Sequence, residues 1–144
     1  MPTSFVVLND GWNADPNAPE PLIERHGSDL RLSFRINAFQ YPQFAEGQVA
    51  SIRFLGCWRH RLGATNDEGW YMGQCRFSRL APAWGEFYEV TGDLLLEAKP
   101  LEWVVSGPAT AHTHHYLFYF RDSTFECDAT SFEVTLPADE PGVA

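Results

Sequence analysis

The segment 115–130, HYLFYFRDSTFECDAT, alternates between apolar and polar residues more regularly than any other part of this sequence. Its two alternating runs flank Asp122 and Ser123, whose short side chains can bond to the nearby backbone and therefore favour turns. A two-residue turn at these positions predicts a β-hairpin in which Phe120 lies opposite Phe125. Asp-Ser is a weaker signal for such a turn than Asn-Gly, so a longer loop is an open alternative.

The predicted hairpin has two chemically different faces, because successive side chains of a strand point to opposite sides. The apolar face collects Tyr116, Phe118, Phe120, Phe125, Cys127 and Ala129. The other face collects His115, Leu117, Tyr119, Arg121, Thr124, Glu126, Asp128 and Thr130. A one-residue slip would mix the two sets, so the pattern favours a pairing that keeps them apart.

Similar alternation recurs along the chain, with turn residues between the alternating segments. The clearest further strand has Leu30, Leu32, Phe34 and Ile36 on one face. Other strands are predicted at residues 4–8, 22–24, 49–62, 74–80, 86–91, 101–105 and 131–136. The only predicted helix is short and covers residues 93–99, because Pro100 stops it. These elements predict a mainly β fold: a single-domain antiparallel sandwich or flattened barrel with at most one short helix.

Residues 49–62 form the longest predicted strand, and Gly56 near its middle predicts a bulge or bend. One side of this strand would carry Ile52, Phe54, Trp58 and Leu62. The other side would carry Arg53, Cys57, Arg59 and Arg61. The pattern therefore predicts one apolar and one polar face along the whole segment.

The composition shows no break along the 144 residues, which predicts one domain over residues 1–144. Within it, residues 9–21 are rich in turn-forming types and predict an ordered loop pinned by Trp12. Residues 137–144 predict a polar tail. The formal net charge of −9 argues against a nucleic-acid partner, because binding phosphates requires clustered Lys and Arg.

Cys57, Cys75 and Cys127 are odd in number and show no CxxC spacing, so we expect reduced thiols rather than a disulfide framework. Cys127 falls on the apolar hairpin face, where burial should raise its pKa and make it inert. No apolar run approaches the roughly 20 residues of a membrane-spanning helix, and none resembles a signal-peptide core. These features predict a cytoplasmic protein with no membrane partner.

Three segments, residues 54–69, 84–92 and 114–129, resemble a group of small bacterial proteins that has no established activity. In that group an H-Y-x-F-x-F-x-D-S-T-F-E-C pattern corresponds to residues 115–127 of this chain. An N-D-E pattern corresponds to residues 66–68. The resemblance therefore implies candidate residues and no chemistry.

The polar hairpin face contains the candidate catalytic residues, which are His115, Tyr119, Arg121 and Glu126. In a pocket they would offer a general base, a hydroxyl donor and a cation for an anionic group. The alternative is a solvent-facing strand pair on which Arg121 and Glu126 form a weak diagonal ion pair. We favour the solvent-facing alternative; the choice depends on whether this face lies inside or outside a barrel.

Candidate binding residues are Asn66, Asp67, Glu68 and Asp128. Asp67 and Glu68 are adjacent and would point apart on a strand, so turn chemistry explains them better than a carboxylate pair. His112 and His114 could share a metal ion, but no second cluster of ligands has a matching spacing, and we predict no metal site. The chain contains no GxSxG, phosphate-binding glycine loop or HExxH motif, so no cofactor is expected.

Two classes of function fit these observations. The first is a small binding or accessory protein, for a small molecule or for a protein partner, a class that includes immunity proteins. Its support is the acidity, the many aromatic residues and the lack of a catalytic motif. The alternative is a small-molecule enzyme whose acid/base site, inside a β-barrel, uses His115 and Glu126. We favour the first class, because a fold alone does not imply an activity.

Overall fold

The computed structural model describes residues 3–63, 86–92, 103–109, 112–120 and 123–137. Ten strands lie in these residues. They are β1 (Ser4–Val7), β2 (Leu22–His26), β3 (Asp29–Arg35), β4 (Val49–Leu55), β5 (Arg59–Gly63), β6 (Phe87–Thr91), β7 (Val104–Val105), β8 (His114–Tyr119), β9 (Thr124–Ala129) and β10 (Ser131–Thr135). The predicted strand at 74–80 and helix at 93–99 fall outside the described residues.

The strands form two antiparallel sheets that pack face to face. The larger has the order β1-β6-β8-β9-β5-β7, and the smaller has the order β10-β4-β3-β2. The sheets are not closed into a barrel, so the architecture is a β-sandwich. The prediction of a mainly β antiparallel domain is confirmed, and of its two forms the sandwich is the one observed. Among the described residues, no helical segment has the length and apolar content needed to cross a lipid bilayer.

Strands β8 and β9 form the predicted hairpin. Their register differs from the predicted one by two residues. Phe118 lies opposite Phe125, and His115 lies opposite Asp128. Beyond the strand ends at Tyr119 and Thr124, Phe120 N donates to Ser123 O at 2.8 Å, so Ser123 pairs with Phe120, whereas the prediction placed Ser123 within the turn. A register shift by an even number of residues leaves every side chain on its predicted face, so the predicted faces are correct although the predicted register is wrong.

The core fills the space between the sheets and is rich in aromatic rings. Phe34 of β3 lies 5.1 Å from Phe118 of β8, measured between ring centroids, and Trp12 of the loop stacks on Phe34 at 5.8 Å. All six residues of the predicted apolar hairpin face belong to this core. So do Leu30, Leu32, Phe34 and Ile36, whose predicted inward orientation is confirmed.

The predicted strand at 49–62 is in fact two strands in different sheets. β4 belongs to the smaller sheet and β5 to the larger, and Gly56 lies between them with a φ of +60°. That left-handed backbone suits glycine, and it turns the chain across the edge of the sandwich. Beyond the bend, Leu62 still lies on the face opposite Arg59 and Arg61, as predicted, but burial does not follow the apolar side: Cys57 and Arg61 are buried, whereas Leu62 is exposed.

The outer face of the larger sheet is also buried, which the sequence analysis did not anticipate. Leu117, Tyr119, Thr124 and Glu126 lie on this face with almost no exposure. The preferred interpretation of a solvent-facing strand pair is therefore wrong. Ionisable groups on this face must find partners within the protein, because an unpaired buried charge is very costly.

Candidate functional site

His115 lies at the centre of a buried group of charged side chains on the outer face of the larger sheet. Its Nδ1 lies 2.9 Å from Asp128 Oδ1, and its Nε2 lies 2.7 Å from Glu126 Oε1. Glu126 and Asp128 are two residues apart on β9, so both carboxylates point to the same side of the sheet. The exposed fraction is 5% for His115 and 0% for Glu126.

Two arginines of β5 complete this group. Arg59 lies directly opposite Asp128, and Arg61 lies directly opposite Glu126, because β5 pairs with β9 in this register. Arg59 Nε donates to Asp128 Oδ2 at 2.5 Å, and Arg61 Nη1 donates to Glu126 Oε2 at 2.8 Å. The result is a continuous chain of contacts across three strands, which we call the His115 cluster: Arg59, Asp128, His115, Glu126 and Arg61.

The hydrogen bonds of the His115 cluster determine its charge state. Burial opposes a charge on His115, but the hydrogen bonds and charges of Asp128 and Glu126 outweigh it and raise the pKa of His115. Burial also opposes the charge on Asp128, whereas His115 and Arg59 hold the pKa of Asp128 below its ordinary value. A histidine donates from both ring nitrogens only when it is protonated. The two carboxylate partners and the raised pKa both favour the imidazolium form of His115.

Aromatic rings border the cluster. The Trp103 ring lies edge-on to the His115 ring, with 6.0 Å between centroids. The Arg59 guanidinium carbon lies 4.7 Å from the centroid of the Trp58 ring and 4.1 Å from that of Trp103. Contacts of a cation with ring faces at these distances stabilise the charge, most strongly where water is excluded.

The structure brings together some of the predicted candidates and separates others. His115, Glu126 and Asp128, which were placed together on the polar hairpin face, converge; Asp128 was predicted as a binding residue and the other two as catalytic. Tyr119 is buried on the same face, but at the opposite end of β8 from His115. The other candidates, Arg121, Asn66, Asp67 and Glu68, lie outside the described residues.

The sequence analysis missed Arg59, Arg61 and Trp103 as members of the site. The two arginines do show alternate spacing, which places them on one face of a strand. However, nothing local in the sequence indicates that β5 pairs with β9, more than sixty residues away along the chain. Trp103 contacts the cluster from the neighbourhood of β7, a strand of only two residues.

A second candidate site is an open cavity of about 200 Å³ next to Trp58. It is lined by Arg25, Gly27, Ser28, Gly56, Cys57, Trp58, Ser106, Gly107 and Pro108. A larger groove of about 400 Å³, on the outer face of the smaller sheet, is lined by charged and hydroxyl side chains such as Arg31, Arg53 and Ser51. Neither of these two cavities includes His115 or Glu126.

No protein-family model matches this chain, and neither a curated protein nor a solved structure is significantly similar to it. The chemistry of the site must therefore be judged from its own geometry. Within the described ranges, no three His, Cys, Asp or Glu side chains are grouped so that they could hold a metal ion. His114, one of the two histidines considered for such a site, lies 3.3 Å from Glu89 on the surface instead.

Proposed function

We propose that this protein binds a small molecule without transforming it. The observation that supports this proposal is the occupation of both His115 ring nitrogens by carboxylates. A general base needs a free nitrogen lone pair within hydrogen-bond reach of the proton that it removes. A protonated, doubly hydrogen-bonded imidazolium has no such lone pair, and the raised pKa of His115 favours this form.

In this proposal the His115 cluster has a structural role. Its three cations and two carboxylates connect β5, β8 and β9, and each carboxylate lies between one arginine and the histidine. A buried ionic network adds little net stability compared with apolar packing, but removal of one member leaves an uncompensated charge. Such a network can also select one strand register over another, since a slipped register would separate the charges.

We also propose a cytoplasmic location. Cys57 and Cys127, the cysteines within the described residues, are free thiols, as expected in a reducing compartment.

An enzyme that uses His115 and Glu126 is the second candidate function. Clusters of buried ionisable groups with shifted pKa values occur often in active sites, and His115 and Glu126 converge at 2.7 Å. For this function a substrate would have to displace one carboxylate from the ring before a proton could move. We rank this candidate second because a buried carboxylate without its partner is strongly destabilising.

A metabolite-binding experiment separates the two candidates. The purified protein is incubated with a mixture of small metabolites, and bound and free compounds are identified by mass spectrometry after ultrafiltration. We expect at least one compound to be retained and recovered chemically unchanged. Time-dependent consumption of a metabolite by the wild type and His114→Gln, but not by folded His115→Gln, would instead establish the enzyme.

A further inference from the structure

We propose that the cavity next to Trp58 binds a small carboxylate with an apolar body, through Arg25 and the Trp58 indole. This inference rests on the proposed binding function and names the chemical class of the ligand. We call the site the Trp58 cavity. It lies where three turns meet at the edge of the sandwich: the turn between β2 and β3, the bend at Gly56, and the segment that follows β7.

The walls of the Trp58 cavity are held together by backbone hydrogen bonds. Cys57 N donates to Ser28 O at 2.9 Å, which joins the bend to the β2–β3 turn. Ser106 N donates to Trp58 O at 2.8 Å, which joins the bend to the segment after β7. The cavity therefore exists before a ligand arrives, and binding does not have to bring its walls together.

Arg25 supplies a charge that has no counter-ion in the described part of the protein. Its Nη1 donates to the Cys57 carbonyl oxygen at 2.7 Å. Its Nη2 is buried and has no hydrogen-bond partner, and no described carboxylate forms an ion pair with it. The Arg25 side chain lines the cavity, so a ligand of opposite charge in the cavity could compensate its charge. A carboxylate is suited to this role, because guanidinium groups bind carboxylates well.

The Trp58 indole supplies an apolar wall rather than a second donor. Trp58 lines the cavity. Its Nε1, like Arg25 Nη2, is buried and is not open to a ligand in the cavity. A ligand there would therefore meet the indole ring on one side and the Arg25 side chain on another.

The rest of the lining determines the body of the ligand. Apart from Arg25, the wall consists of the Trp58 ring, Cys57, Pro108 and small residues, so it offers apolar contact and no second charge. The volume of about 200 Å³ lies below the roughly 300–1,000 Å³ of drug-sized sites. It is slightly above the roughly 150 Å³ of a cavity that holds benzene. A ligand about the size of benzoate is therefore expected.

The primary test compares benzoate with benzamide, its neutral isostere. Each is titrated into ¹⁵N-labelled protein, and the Trp58 indole N–H signal, assigned from a Trp58→Phe variant, is followed by NMR. We expect benzoate to shift this signal saturably with 1:1 stoichiometry. We expect benzamide to bind at least tenfold more weakly, because it lacks the charge that pairs with Arg25. Equal affinities, or no shift of the Trp58 signal with benzoate, would overturn the inference.

Arg25→Met is the matched variant, because it keeps most of the side-chain length and removes the charge. We expect it to weaken benzoate binding at least tenfold, whereas Arg31→Met, an exposed position on the neighbouring strand, should bind as the wild type does. Gly107→Leu is a second variant that leaves Arg25 intact. A Cβ at Gly107 meets no atom within 4 Å, so a side chain there can be accommodated and can fill the cavity. Full binding by folded Arg25→Met and Gly107→Leu would overturn the site.

The failure of this inference differs from the failure of the proposed function. If benzoate does not bind but another metabolite is retained unchanged, the carboxylate site is wrong and the binding function stands. If a metabolite is consumed in a reaction that requires His115, the binding function itself is wrong.

Discussion

Replacing His115 by alanine tests the most consequential feature of the structure, the buried imidazolium between two carboxylates. The substitution removes both hydrogen bonds, the one of 2.9 Å to Asp128 and the one of 2.7 Å to Glu126. It also leaves the two carboxylates without their imidazole partner, next to a new cavity. Each lost bond involves charged groups, for which about 1.5–3 kcal/mol is typical.

We expect His115→Ala to lower the free energy of unfolding by about 3–5 kcal/mol, the range found when one partner is removed from a buried ion pair. His114→Ala is the matched control, since the two histidines are adjacent on β8 and point to opposite faces. The side-chain exposure is 48% for His114 and 4% for His115. Among the described residues the ion-pair partner of His114 is Glu89, on the surface, so the loss of His114 should cost at most about 1 kcal/mol.

Urea unfolding followed by tryptophan fluorescence at pH 6 measures both variants. With a slope of about 2 kcal/mol per molar urea, a loss of 3–5 kcal/mol moves the unfolding midpoint down by about 1.5–2.5 M. A midpoint for His115→Ala within about 0.5 M of that for His114→Ala would refute the argument that the imidazolium holds this face together.

The pH dependence gives an independent check with a defined sign. Folding raises the pKa of His115, so its stabilisation is complete below the unfolded pKa of about 6.5 and is lost as the pH rises through the folded pKa. Folding lowers the pKa of Asp128, so its stabilisation is complete above about pH 3.9 and is lost as the pH falls through the folded pKa. The difference between wild type and His115→Ala should therefore be constant from about pH 5 to 6.5 and shrink at alkaline pH. A difference that grows with pH would contradict this assignment.

Three further substitutions or reagents test other parts of the structure. Gly56→Ala should lower the free energy of unfolding in urea by about 1–3 kcal/mol, because the position has a φ of +60° and a Cβ would lie 2.9 Å from Thr130 Oγ1. Gly107→Ala is the control: its Cβ would point into open space, so the free energy of unfolding should change by less than about 1 kcal/mol. Phe118→Ala should cost about 3–5 kcal/mol, since its buried ring stacks on Phe120 at 4.4 Å. Burial raises the pKa of Cys127, so native protein should protect this thiol from iodoacetamide and urea should expose it, as read by peptide mass spectrometry.

The faces of the hairpin could be predicted from sequence because side-chain alternation is a local property. Phe118 and Phe125 lie on the apolar face in any register that keeps apolar and polar side chains on separate faces, and both lie in the core. The register itself depends on the loop that joins β8 to β9. Asp-Ser does not specify the position of a two-residue turn strongly, and the backbone bond from Phe120 N to Ser123 O, at 2.8 Å, pairs Ser123 with Phe120 instead of leaving it in the turn.

The burial of the polar face could not be predicted in the same way. Alternation separates polar from apolar side chains, but it does not say whether the polar side meets water or other parts of the chain. Glu126 and Asp128 look like ordinary surface carboxylates when β9 is read alone. Their burial is tolerated because Arg59 and Arg61 arrive from β5 in the matching register, a long-range pairing that no single segment encodes.

The bend at Gly56 explains why the His115 cluster and the Trp58 cavity lie close together. Before the bend, β4 contributes Phe54 to the core between the sheets; after it, β5 contributes Arg59 to the outer face of the larger sheet. The residues that make the crossing, Cys57 and Trp58, become the wall of the cavity. The Trp58 ring lies against the Arg59 guanidinium, and Arg59 in turn binds Asp128. A carboxylate bound in the cavity would therefore add a negative charge one side chain away from the cluster. That charge would favour the protonated state of His115 further, so ligand binding and the titration of His115 should be linked.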